Sequence, residues 1–120
     1  SMITIEQYGS QKLLTGKNTE IFGEHKSEAD RGYARAMELI KENRFGIIVL
    51  DEILNLLNFK LIELPRIIEL IETKPESMEL VLTGRGAPEE LMRLADLVTE
   101  MREIKHYYNS GVTARRGIEF

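Results

Sequence analysis

Cysteine is absent from the 120 residues, which excludes disulfides, thiolate metal sites and cysteine nucleophiles. Long apolar runs are absent too: none approaches the ~18 residues that would span a membrane, and no signal peptide is visible. A cytoplasmic protein with no membrane partner is expected. Positive charge is not in excess. Sixteen Lys and Arg against twenty Asp and Glu give a net charge of −4 and a pI near 5.3. With no basic block, no nucleic-acid partner is expected. The two histidines, His25 and His106, lie far apart, so a transition-metal site has little support and both read as surface residues. No serine sits in a nucleophile-elbow pattern. A phosphate loop is missing as well. Gly16-Lys17-Asn18-Thr19 has its flavour, but Gln11 stands where the first glycine belongs and Asn18 where Ser or Thr must follow the lysine. What remains fits one soluble globular domain over residues 1–120, 42% hydrophobic and 30% charged. Ser1 ahead of Met2 reads as an expression scar.

The chain is organised around Gly46-Ile47-Ile48-Val49-Leu50-Asp51-Glu52. An uninterrupted, mostly β-branched run suits a strand buried on both faces, because no face is left for polar residues. Two carboxylates follow at its carboxyl end, the edge at which open α/β sheets bind ligands. The pattern is that of a Walker B element, whose acids hold Mg²⁺ or polarise a nucleophile. A buried strand followed by a solvated acidic turn is the plainer alternative.

Around this strand the elements alternate. Ile3–Tyr8 alternates apolar with polar and predicts a half-buried strand, followed by a long polar loop over 9–27. Ser27 with Asp30 at capping-box spacing predicts the start of a helix, which Asn43-Arg44 ends. Leu54–Lys60 is apolar but ambiguous. Pro65 opens a helix through Ile71, and Lys74–Ser77 is a turn. Met78–Thr83 is a second strand, running into Gly84-Arg85-Gly86-Ala87-Pro88. A helix follows, with Glu89 and Glu90 complementing its dipole. Leu97–Ile104 reads as a strand and Gly117–Phe120 as a short last one. The order predicts a three-layer parallel α/β sheet in a single domain.

Two strand ends make the candidate site. Asp51 and Glu52 close the first. Thr83-Gly84-Arg85-Gly86 closes the second, where glycines let the backbone approach a phosphate and Arg85 supplies a planar cation. Each alone also has a plain reading as a turn; together they are more telling.

These residues carry a resemblance. Ile48–Ile53, Leu82–Leu91, Ala95–His106 and Gly111-Val112 through Gly117–Phe120, in that order over roughly residues 28–120, resemble the P-loop type of ATP:cob(I)alamin (corrinoid) adenosyltransferase. Thr83-Gly84-Arg85-Gly86 and Thr99-Glu100-Met101-Arg102-Glu103-Ile104-Lys105-His106 occur together at the family's spacing. The resemblance implies a RecA-like sheet and transfer of the adenosyl group of ATP to the cobalt of a reduced corrinoid, with release of triphosphate. It implies MgATP as cofactor and corrinoid as substrate. Glu52 would be catalytic, Asp51 and Glu52 would hold Mg²⁺, and Thr83, Gly84, Arg85 and Gly86 would face the nucleotide. Family members begin with a strand and a Gly-Lys-Thr loop that this sequence lacks, so it reads as the carboxyl-terminal two-thirds of such an enzyme, with the central strand of the sheet missing. The aromatic segment that crowds the corrin in well-studied members corresponds here to Gly9–Leu14, which has no aromatic. Met78–Thr83 should then lie beside the missing P-loop strand, with Leu97–Ile104 on its far side. An open edge of this kind predicts self-association, as a two-fold homodimer. The alternatives are a non-catalytic interaction or regulatory module on the same scaffold, and a different P-loop ATPase sharing only the Walker B strand.

Overall fold

The computed structural model describes residues 2–9 and 19–118. Its longest element is helix α1 (Thr19–Glu42), with Glu20 in the first turn and Lys41 in the last, both complementing the helix dipole. Ala29, Ala36, Met37 and Ile40 form its buried stripe at helical spacing. Asn43 ends it in a left-handed conformation, with φ 50°. Strand β1 (Ile47–Leu50) follows, then helices α2 (Ile53–Asn58) and α3 (Leu64–Thr73), strand β2 (Glu79–Leu82) and helix α4 (Glu89–Leu94). A 3₁₀ turn at Tyr107–Ser110 lies near the end of the described chain.

Strands β1 and β2 pair in parallel, with Ile47 opposite Glu79 and Leu50 opposite Leu82. Parallel neighbours need a crossover, and α2 with α3 supplies it. Pro65 sits in the first turn of α3, where its missing N–H costs nothing. The core joins all of these elements. Ile40 of α1, Ile67 and Leu70 of α3, and Met78 before β2 are fully buried, each contributing about 1.5–3 kcal/mol. Ile48, Ile53, Leu54, Ile62 and Leu91 complete the cluster.

The sheet uses only one face. Ile48 is buried and Leu50, Leu80 and Leu82 pack on the core. On the other face Ile47 and Val49 remain 61% and 56% exposed and Val81 43%. Among the described residues the architecture is therefore a mixed α/β fold with a two-stranded parallel sheet covered on one side. The expected third layer is not among them.

Other expectations fall differently. Ile3–Tyr8 is not a strand but an exposed, irregular segment, because no strand runs beside it to complete a ladder. It rests on α1 instead: Arg35 binds Glu6 at 3.0 Å, and Tyr8 packs so close to Gly32 that a Cβ there would stand 3.1 Å from its ring. Of the expected loop, 10–18 lie outside the described residues, while 19–26 are helical. The Ser27 signal thus falls inside α1, where eight further residues extend the helix despite Gly23. Leu97–Ile104 is no strand either. Leu97, Met101 and Ile104 are 83%, 93% and 85% exposed, since among the described residues no sheet edge pairs with them. At the tail, residues 116–118 form a turn, and 119–120 lie outside the described residues. Among the described residues, no helix is long and apolar enough to cross a membrane.

Candidate functional site

The register of the sheet brings Asp51 and Thr83 side by side, each one residue beyond its strand. The last rung of the ladder runs from Thr83 N to the Leu50 carbonyl at 3.2 Å. Beyond it the Thr83 hydroxyl donates to Asp51 Oδ1 at 2.5 Å and accepts the Glu52 amide at 2.8 Å. Glu52 itself is left-handed, with φ 58°, a conformation that costs a residue other than glycine about 1–2 kcal/mol. That turn swings the chain from β1 straight into α2, and the hydroxyl satisfies its amide.

Both carboxylates are exposed. Asp51 spends one oxygen on Thr83, and the Glu52 carboxylate has no hydrogen bond or ion pair among the described residues. Hard oxygen donors of this kind suit Mg²⁺, which takes one or two carboxylates and fills its shell with water and phosphate oxygens. No group of three or more His, Asp or Glu side chains gathers as a metal site among the described residues. A cation on Asp51 and Glu52 would need its remaining ligands from water or from a bound anion.

The loop after β2 is laid against the start of α2. The Leu54 amide donates to the Thr83 carbonyl at 3.2 Å. At Gly84, φ is 138°, and a Cβ would stand 2.7 Å from the Leu54 Cβ, so only glycine fits. The Arg85 amide donates to Asn55 Oδ1 at 3.0 Å, and its carbonyl accepts Asn58 Nδ2 at 2.8 Å. Gly86 also has a positive φ, 67°, beside Asn58. The Arg85 guanidinium is exposed, without a hydrogen bond or ion pair among the described residues. An open hollow of about 490 Å³ is lined by Asn58, Lys60, Leu64 and Pro88.

The structure thus brings Asp51, Glu52 and Thr83 into direct contact and anchors Gly84, Arg85 and Gly86 on the helix that the acids begin. The family model for ATP:corrinoid adenosyltransferase BtuR/CobO/CobP matches residues 1–120. The chain belongs to that family. Among corrinoid adenosyltransferases, the chain is 42% identical over 93 residues to the one from Sinorhizobium sp, covering 77% of this chain and 44% of the relative. To the Pseudomonas aeruginosa enzyme it is 35% identical over 94 residues, covering 78% and 46%. The corrinoid adenosyltransferase CobA of Salmonella typhimurium is 32% identical over 82 residues, 68% of this chain and 42% of its own length. The chain spans about half the length of the curated relatives it matches.

Sequence reasoning brought the acids and the Thr-Gly-Arg-Gly loop to neighbouring strand ends, as the structure does, but missed Asn55 and Asn58, which tie that loop to α2. Their signal was present: two amides three residues apart in an otherwise apolar stretch fall on one side of a helix. His25, expected in a loop, sits in α1. His106 caps the 3₁₀ turn, its Nδ1 accepting the Tyr108 amide at 3.1 Å.

Proposed function

We propose that this chain carries the acid-and-arginine half of the nucleotide site of an enzyme that transfers the adenosyl group of ATP to a corrinoid. The observation that carries the reading is the junction of the two strand ends: one Thr83 hydroxyl joins Asp51 to Glu52, and the same loop presents an unengaged Arg85. In this reading Asp51 and Glu52 hold the Mg²⁺ of MgATP, which when bound screens phosphate charge. Thr83 fixes the Asp51 carboxylate and the backbone from which Glu52 projects. Gly84 and Gly86 keep the backbone low, and Arg85 meets phosphate oxygens with its planar fork. Transfer breaks the carbon–oxygen bond between adenosyl and triphosphate as the carbon–cobalt bond forms. The triphosphate leaves with the bonding pair, so positive groups around it lower the barrier.

Two coarser features extend the reading. A RecA-like sheet has helices on both faces, and the bare face of Ile47, Val49 and Val81 is where a second layer would lie. The same face and the open strand edges support self-association as a two-fold homodimer.

Calorimetry with MgATP tests the site. With no Gly-Lys-Thr loop to cradle three phosphates, the 120-residue chain should bind MgATP more weakly than micromolar. Glu52→Gln should weaken it further. Binding at micromolar or tighter would show that the loop is not needed for affinity, and a Gln variant indistinguishable from the parent would remove Glu52 from the site.

A further inference from the structure

We infer that Asn55 and Asn58 are positioning residues for Arg85, tying its backbone to the helix that begins at the two acids; the inference rests on the nucleotide reading above. Arg85 has one main-chain donor and one main-chain acceptor, and α2 engages both. Asn55 takes the amide at 3.0 Å and Asn58 gives to the carbonyl at 2.8 Å. Three residues apart on one helix, the two amides reach the loop from the same side. On either flank the loop carries no side chain. Gly84 lies where a Cβ would meet Leu54, and Gly86 lies beside Asn58.

Arg85 is therefore the one side chain in its triplet, held at its root and unengaged at its tip. A long, flexible cation ordinarily loses affinity because ordering it costs conformational entropy. Fixing its backbone removes part of that loss in advance. Because α2 starts directly after Glu52, the clamp also sets the distance between cation and carboxylates. A phosphate-bearing ligand bridging Mg²⁺ and Arg85 would feel both amides without touching either.

Donor and acceptor chemistry makes the test specific. Asn55 must accept and Asn58 must donate. In the full chain, amide exchange at Arg85 followed by NMR should rise about two- to tenfold in Asn55→Ala, the range a neutral hydrogen bond supports. Asn55→Asp, which keeps the acceptor, should restore protection. Asn58→Asp, which cannot donate, should mobilise the loop as Asn58→Ala does. MgATP titrations then close a double-mutant cycle. The Asn55→Ala/Asn58→Ala pair should weaken binding several-fold beside Arg85 and have no effect in an Arg85→Ala background. Equal losses in both backgrounds, or Arg85 exchange unchanged by all the Asn variants, would overturn the positioning role. If MgATP leaves the Asp51, Glu52 and Arg85 resonances of the parent chain unmoved, the nucleotide reading itself fails. A parent that responds but shows an additive cycle discards only the clamp.

Discussion

Thr83 Oγ1 lies 2.5 Å from Asp51 Oδ1, and that single contact closes the gap between the carboxyl ends of the two strands. The same oxygen receives the Glu52 amide. Thr83→Val keeps the shape and removes both hydrogen bonds. It should destabilise the fold by about 1 kcal/mol and weaken MgATP binding, while Thr83→Ser should retain both properties. Urea denaturation and calorimetry together decide it. A Val variant matching the parent in both would show that the hydroxyl orders nothing.

Gly84 supplies a purely steric test. Alanine there must bear a φ of 138° and a Cβ 2.7 Å from that of Leu54. A loss of about 2–3 kcal/mol in unfolding free energy is expected. Gly111, with a φ of 85° and open space around it, should lose less when changed to alanine. If the two variants unfold at the same urea concentration, the loop after β2 is not packed as tightly as its geometry states.

Acid should release the amino-terminal segment before it melts the core. The Arg35 guanidinium and the Tyr8 hydroxyl hold the Glu6 carboxyl below its ordinary value of 4.5. Arg66 and Lys26 likewise lower Asp30, which ties α1 to α3. A depressed carboxylate stabilises the fold fully above its unfolded value, and that contribution fades as pH falls through the folded value. The Gly32 amide resonance, under the Tyr8 ring, should therefore shift as pH drops below 4.5 while Ile40 methyl signals stay put. Glu6→Gln should leave the Gly32 signal insensitive to pH in that window. A Gly32 shift that persists in Glu6→Gln would assign the change to another group.

Self-association is expected through the bare sheet face. Light scattering coupled to size exclusion at tens of micromolar should give twice the mass of the chain. Val49→Lys, placing a charge on the exposed face opposite Val81, should return the monomer. A clean monomer for the parent chain would show that this face needs no second copy.

The parts of the fold legible in the sequence were those whose signal is local. Ile47–Leu50 read as a strand because its apolar run is continuous. Its expected burial on both faces fails, with Ile47 and Val49 exposed where no second layer among the described residues covers them. Pro65 and Pro88 marked helix starts. Ile3–Tyr8 and Leu97–Ile104 failed for the opposite reason. Alternation describes a chain ready to pair, but a strand is a relation to a neighbour, and the described residues offer none. The start of α1 was hidden because Gly23 and a polar stretch lower intrinsic helix preference. In the site, Asp51, Glu52 and the Thr83–Gly86 loop carried recognisable chemistry. The amides of Asn55 and Asn58 did not, because their meaning lies in a backbone about thirty residues away.

That separation recurs throughout. The hydrogen bonds joining the strand ends span 27 to 32 residues. Closing a loop of that length costs about 3 kcal/mol of chain entropy before any contact returns it. No isolated helix or hairpin can therefore preassemble these groups. They meet only once α2 and α3 have folded the intervening chain and β1 has found β2 in register. A slip of one residue would turn Thr83 away from Asp51 and reverse every apolar side chain of the strand. The constellation is thus a property of the tertiary fold and of no shorter piece of it, and any ligand bridging both strand ends would also lock the register on which it depends.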